Sequence, residues 1–105
     1  MSAAFQQKVL RQLQKSGSDI TKLHDFEFFL HLPTKSIAKT AAAKIRRSGF
    51  TAAEVSRADS GNGWMCVAKK SLVPGKADLA DHARFFEQIA AAGGGDFDGW
   101  EAQVV

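Results

Sequence analysis

The chain has one cysteine, no acidic residue before Asp19 and none between Glu27 and Glu54. It also has no apolar run near the roughly 20 residues that span a bilayer, so no transmembrane helix is expected within it. Cys66 has no second cysteine to pair with, which excludes an internal disulfide and fits a reducing compartment. The opening stretch MSAAFQQKVLRQLQKSGSD lacks both an apolar core and a small-residue cleavage site, so it does not read as a secretory signal. The expected location is the cytoplasm. At 105 residues and 45% hydrophobic content, the expectation is one folded domain, residues 1–105, with a single core.

Charge is scarce in one sign over half the chain. Residues 1–57 carry ten Lys/Arg against four Asp/Glu, and residues 58–105 carry four against seven. The acid-free stretch contains Lys35, Lys39, Lys44, Arg46 and Arg47. Such asymmetry points to an anionic partner, either an acidic protein segment or nucleic acid; the plainer account is a solvated helix face.

Catalytic and metal-binding patterns are equally sparse. His24 and His31 are seven apart on a candidate strand, so they point to opposite faces and cannot share a metal. His82 falls on the apolar arc of a candidate helix and reads as a hydrogen-bonded, semi-buried side chain rather than a general base. Cys66, between Met65 and Val67, reads as a buried inert thiol. Asp96, Asp98 and Glu101 lack the spacing of a calcium loop. The GNG (61–63) and GGG (93–95) runs lack the strand-to-helix context of a phosphate loop. No catalytic residue, metal site or cofactor is expected, and the chain does not read as an enzyme.

Helical periodicity occupies three segments, each stopping on a glycine able to take the left-handed conformation at C′. Residues 2–16 align Phe5, Val9 and Leu13 before Gly17; residues 35–48 align Ile37, Ala38, Ala41 and Ile45 before Gly49; residues 78–92 align Leu79, Ala83, Phe86, Ile89 and Ala90 before Gly93. Thr34 and Asp78 are the expected N-caps. Between the helices, residues 23–32 alternate as a strand with His24, Phe26, Phe28, Leu30 and Leu32 on one face. FTAAEVSR (50–57) and GWMCVAKK (63–70) flank the loop ADSGNG (58–63), and DFDGWEAQVV (96–105) supplies a last strand.

The order αβαββαβ contains the ferredoxin-like βαββαβ unit. The expected fold is therefore an α+β sandwich: a four-stranded antiparallel sheet, two helices on one face, and an additional N-terminal helix. Asp98-Gly99 is a turn dipeptide, but it lies within the final strand. A β-bulge there lets Phe97 and Trp100, three apart, both face apolar surroundings. Asp98, Gly99 and Trp100 thus form the expected structural motif.

The pieces GSD (17–19), HDFEFFLHL, RRSGF, GWMCV and FDGWE occur in the order and spacing of the regulator of ribonuclease activity B family, which the chain resembles over roughly residues 8–101. The resemblance implies a ferredoxin-like fold with an extra N-terminal helix. It also implies a non-catalytic role: binding ribonuclease E outside its active site and altering its RNA-degrading assemblies. Well-known members are strongly acidic, whereas this chain has a net charge of +3.

Two surfaces are candidates. On the second helix, Lys35, Lys39 and Arg46 fall within about 40° of one another at 100° per residue. With Arg47 they form the expected partner-binding surface, facing ribonuclease E or another acidic protein segment. The alternative is an RNA-recognition-motif-like sheet on which bases stack, with Phe29 and Trp64 as the stacking aromatics. The N-terminal helix, whose apolar stripe needs a seat, is expected to cover that face instead, with Phe29 and Trp64 packed beneath it. No membrane partner is expected, and the chain is expected to be a monomer or weak oligomer.

Overall fold

Apolar residues alternate along β1 (His24–Leu32) in strict two-residue steps, so one face of this strand is buried throughout while the other is only partly covered. The computed structural model, which describes residues 2–59 and 61–105, places β1 at the centre of an antiparallel sheet. Its neighbours are β3 (Trp64–Leu72) and β4 (Asp96–Ala102), and β2 (Ala52–Arg57) lies beyond β3, giving the order β2-β3-β1-β4. Helices α1 (Ser2–Lys15), α2 (Lys35–Arg47) and α3 (Leu79–Ala92) complete the chain. This is the ferredoxin-like α+β arrangement with an added N-terminal helix.

The N-caps form as expected. The Thr34 hydroxyl accepts from the Ile37 N–H at 3.2 Å, and the Asp78 carboxylate accepts from the Asp81 N–H at 2.9 Å. Each satisfies a backbone donor that the first helical turn leaves orphaned. The third helix stops at Ala92, before Gly93, as expected, but its left-handed residue comes one position later. Gly93 is the C-cap at φ −94°, and the left-handed residue is Gly94 at φ 73°. Gly93 is small for a packing reason, since a Cβ there would lie 2.6 Å from Ile37 Cγ2. The last strand is also shorter than expected, stopping at Ala102. Ser60 of the expected 58–63 loop and Met1 lie outside the described residues.

The core lies between the sheet and the helices and is largely aromatic. Phe28 stacks on Phe86 at 4.7 Å and on Phe26 at 5.7 Å, while Phe50 meets Phe86 edge-on at 5.2 Å. All four are buried. Burying one such side chain contributes about 1.5–3 kcal/mol, so these contacts outweigh any single surface interaction. His82 stacks against Phe28 and bonds through Nδ1 to the Asp78 carbonyl at 2.8 Å, the semi-buried histidine that its helical position predicts.

The bulge in β4 forms where expected. Trp100 lies opposite Phe28 and Gly99 opposite Phe29, but Phe97 lies opposite Leu30, leaving Asp98 as the additional residue. Gly99 carries φ 115°. The extra residue turns Phe97 and Trp100 to the same side as Phe28 and Leu30. There Phe97 stacks on Phe86 at 5.5 Å, and Trp100 lies 5.9 Å from Phe26.

Helix α1 does not cover the open sheet face. It packs on α3, with Val9 and Leu13 buried and Phe5 5.9 Å from Phe97. Gln6 Oε1 accepts from the Ala80 N–H at 3.2 Å and so caps the start of α3. The physical reason lies in the bulge. By turning Phe97 and Trp100 inward at an edge strand, it extends the apolar layer beyond the sheet on the helical side, and the α1 stripe completes that layer.

Candidate functional site

Helix α2 buries Ala38, Ala41, Ala42 and Ile45 and leaves its cations in solvent. Lys35, Lys39 and Arg46 share the flank of the helix next to β2, as the 100° repeat requires. The structure then adds a residue that the periodicity did not reveal. Arg57, at the end of β2, is paired in register with Trp64 at the start of β3. Lys35 Nζ and Arg57 Cζ each sit 5.4 Å from the centroid of the Trp64 ring. Two cations on one ring gain from its quadrupole but repel each other. A carboxylate or phosphate bound near both cations relieves that repulsion.

The rest of the predicted surface divides. Arg46 reaches across to β2, where Nη2 donates to the Ala53 carbonyl at 2.5 Å, so its charge is partly committed to holding α2 on the sheet. Arg47 is exposed but points about 100° further round the helix and stands apart from the Lys35–Trp64–Arg57 group. None of Lys35, Lys39, Arg46, Arg47 or Arg57 forms an ion pair among the described residues; the salt bridges there are Lys69 with Glu27 and Glu54, and Arg84 with Asp81. An uncommitted cation row meets an anionic partner without first breaking internal pairs.

Phe29 and Trp64 do not form one stacking platform. Phe29 pairs with Val67 on the uncovered face, whereas Trp64 pairs with Leu32 on the helical face. The strand repeat of two decides this: an odd number of steps separates Phe29 from Leu32, so their side chains leave the sheet in opposite directions. Neither aromatic lies beneath α1, which corrects that expectation as well.

Cys66, His24 and His31 are structural. Cys66 is fully buried, and burial pushes its thiol up to about 11, well above reactive values. His24 is buried on the inner face, with Nδ1 2.8 Å from the Lys22 carbonyl and Nε2 3.2 Å from Ser18 Oγ. Ser18 Oγ in turn accepts from the Val105 N–H at 2.9 Å. His31 lies on the opposite face, bonded through Nε2 to the Asn62 carbonyl at 2.8 Å. Among the described residues no three His, Cys, Asp or Glu side chains come together in a metal-binding group, and no helix is long and apolar enough to cross a membrane.

A family model described as regulator of ribonuclease activity B matches residues 3–102, nearly the whole chain. No curated protein matches it.

Proposed function

Because this chain belongs to the regulator of ribonuclease activity B family, we propose that it is a non-catalytic regulator that binds a ribonuclease of the ribonuclease E kind and restrains RNA degradation by protein–protein contact. The observation that carries the proposal is the exposed cation row of Lys35, Lys39 and Arg57, without acidic partners among the described residues, with Lys35 and Arg57 both on the Trp64 ring. Exposed like charges on one flank steer association with an oppositely charged surface and set its salt dependence more than its final affinity. Trp64 supplies the half-buried aromatic that commonly anchors such contacts. The partner surface that fits is an acidic protein segment of the ribonuclease. The mode of action is occupancy: the bound regulator withholds a surface that the ribonuclease uses for RNA or for its assembly partners.

The experiment is a cleavage assay with purified ribonuclease E and a labelled RNA, run with the chain and with its Lys35→Glu/Lys39→Glu variant. Binding is followed in parallel at low and high salt. The expected result is slower cleavage with the wild-type chain, and weaker, less salt-dependent binding by the variant. Unchanged cleavage with no complex overturns the reading. Tight binding of the RNA itself by the isolated chain would favour the RNA-binding alternative.

A further inference from the structure

The uncovered sheet face has a chemistry distinct from the helical side. Strand register arranges it in rows. Ser71 lies beside Asp25, and with β1 in the middle the rows across β3, β1 and β4 are Lys69–Glu27–Glu101, Val67–Phe29–Gly99 and Met65–His31–Asp96. From β2, Glu54 adjoins Val67 and Ser56 adjoins Met65. The carboxylates of Asp25, Glu27, Glu54, Asp96 and Glu101 thus surround a half-buried strip of Phe29, Val67 and Met65. Lys69 is the one lysine or arginine on this face among the described residues, and Glu27 and Glu54 already hold it at 3.6 and 3.1 Å. The charge separation noted along the chain is therefore also a separation between faces.

Three features give this face a defined shape. No helix lies over it among the described residues, since α2 and α3 pack on the opposite side and α1 packs on α3. Glu27 and Glu101 stand directly opposite each other in register, a like-charge pairing in which Lys69 answers Glu27 while no ion pair reaches Glu101 among the described residues. Beside Phe29 the neighbouring strand presents Gly99, where a Cβ would meet nothing within 4 Å. One side of the Phe29 ring is thus left open, between Glu101 and Asp96 on the same strand.

We infer that this face binds an extended, arginine-containing segment of a partner protein, with one arginine laid over Gly99 against the Phe29 ring and its guanidinium between Glu101 and Asp96. Arginine suits the place better than lysine, because its planar guanidinium stacks on an aromatic ring while its fork of donors engages carboxylates. Lysine offers only a compact charge. RNA is disfavoured here, since its phosphates would meet five carboxylates. The inference concerns a different face from the cation row of α2 and stands whether or not that row meets a ribonuclease.

The test is fluorescence anisotropy with labelled peptides of about ten residues alternating arginine and serine, lysine and serine, or glutamate and serine. The arginine peptide binds the wild-type chain, the lysine peptide binds several-fold more weakly, and the glutamate peptide does not bind. Asp96→Lys/Glu101→Lys weakens the arginine peptide by about tenfold or more, equivalent to about 1.4 kcal/mol. Phe29→Ala brings its affinity down to that of the lysine peptide, and Lys35→Glu/Lys39→Glu leaves it unchanged, which separates this face from the α2 surface. Phe29→Leu serves in its place if the alanine variant fails to fold. No binding of the arginine peptide, or equal affinity for wild type and the charge-reversed variant, overturns the inference. So does self-association that the charge reversal abolishes, because it assigns the face to a second copy of the chain.

Discussion

Phe97 and Trp100 lie three positions apart in β4, yet both face the helices. Asp98 is the inserted residue that makes this possible, and Gly99, at φ 115°, returns the strand to register opposite Phe29. Without the insertion one of the two aromatics would point to the uncovered face, and α1 would lose part of its seat.

The first prediction follows from that geometry. A Cβ at Gly99 meets no atom, so Gly99→Ala tests the positive φ alone. It should cost about 1–3 kcal/mol, and each kcal/mol lowers Tm by about 4–8 °C in a domain of this size class. Gly99→Val should cost more, because a β-branched side chain tolerates positive φ poorly. Melts of both variants within a degree of wild type would show that the bulge does not need glycine.

Gly95 and Gly94 separate two reasons for glycine. Gly94 has φ 73° with open space around it, whereas a Cβ on Gly95 would run into the His31 carbonyl oxygen. Gly95→Ala must push the start of β4 away from β1, while Gly94→Ala meets only backbone strain of about 1–2 kcal/mol. The expected order of denaturant midpoints is wild type, then Gly94→Ala, then Gly95→Ala. The reverse order would contradict the close approach.

Trp100 is half-buried, against Phe26 and in a cleft that Leu13 of α1 also lines. Trp100→Ala should cost about 2–3 kcal/mol, below the 3–5 kcal/mol of a fully buried tryptophan. The loss should be local as well as global. Amide exchange in α1 should accelerate more than exchange in α2, which packs on β2 and β3. Equal acceleration in the two helices would argue against Trp100 as part of the α1 seat.

The α2 cations should behave unequally. Lys35 and Lys39 are exposed, so their joint change to glutamate should move stability by less than about 1 kcal/mol. Arg46 donates to the Ala53 carbonyl, and Arg46→Ala should cost about 1 kcal/mol through that lost hydrogen bond. Urea unfolding of the two variants measures the difference. A larger loss from the lysine pair would mean that the row supports the fold.

Cys66 makes stability depend on pH at the alkaline end. Burial raises its thiol from 9.0 to about 11, so between these values the folded chain holds a proton that the unfolded chain has released. Stability is complete below pH 9 and falls as pH rises towards 11. Cys66→Ala removes this component, and its stability curve should be flatter than that of wild type over the same window. Parallel curves would exclude the thiol as the source. Labelling by a thiol reagent near neutral pH should require unfolding.

Local patterns in the chain were enough for the elements and much of the frame. The two-residue alternation of 24–32 and the apolar stripe of α1 each have one reading, because burial rewards a single face of a strand or helix. Thr34 and Asp78 marked the helix starts, and FDGW marked the bulge, because both signals lie within a few bonds of the backbone they shape. The sequence also exposed the cation row of α2, since helical spacing alone aligns Lys35, Lys39 and Arg46. Pairings between distant segments were decided only by tertiary structure. Arg57 joins Lys35 on Trp64 through the β2–β3 register, and no local pattern states that register. Phe29 and Trp64 part company for the same reason, each pointing where its own strand directs it. The seat of α1 was likewise undetermined: its stripe fits any apolar surface, and it lies on α3 because the bulge carries the core past the edge of the sheet.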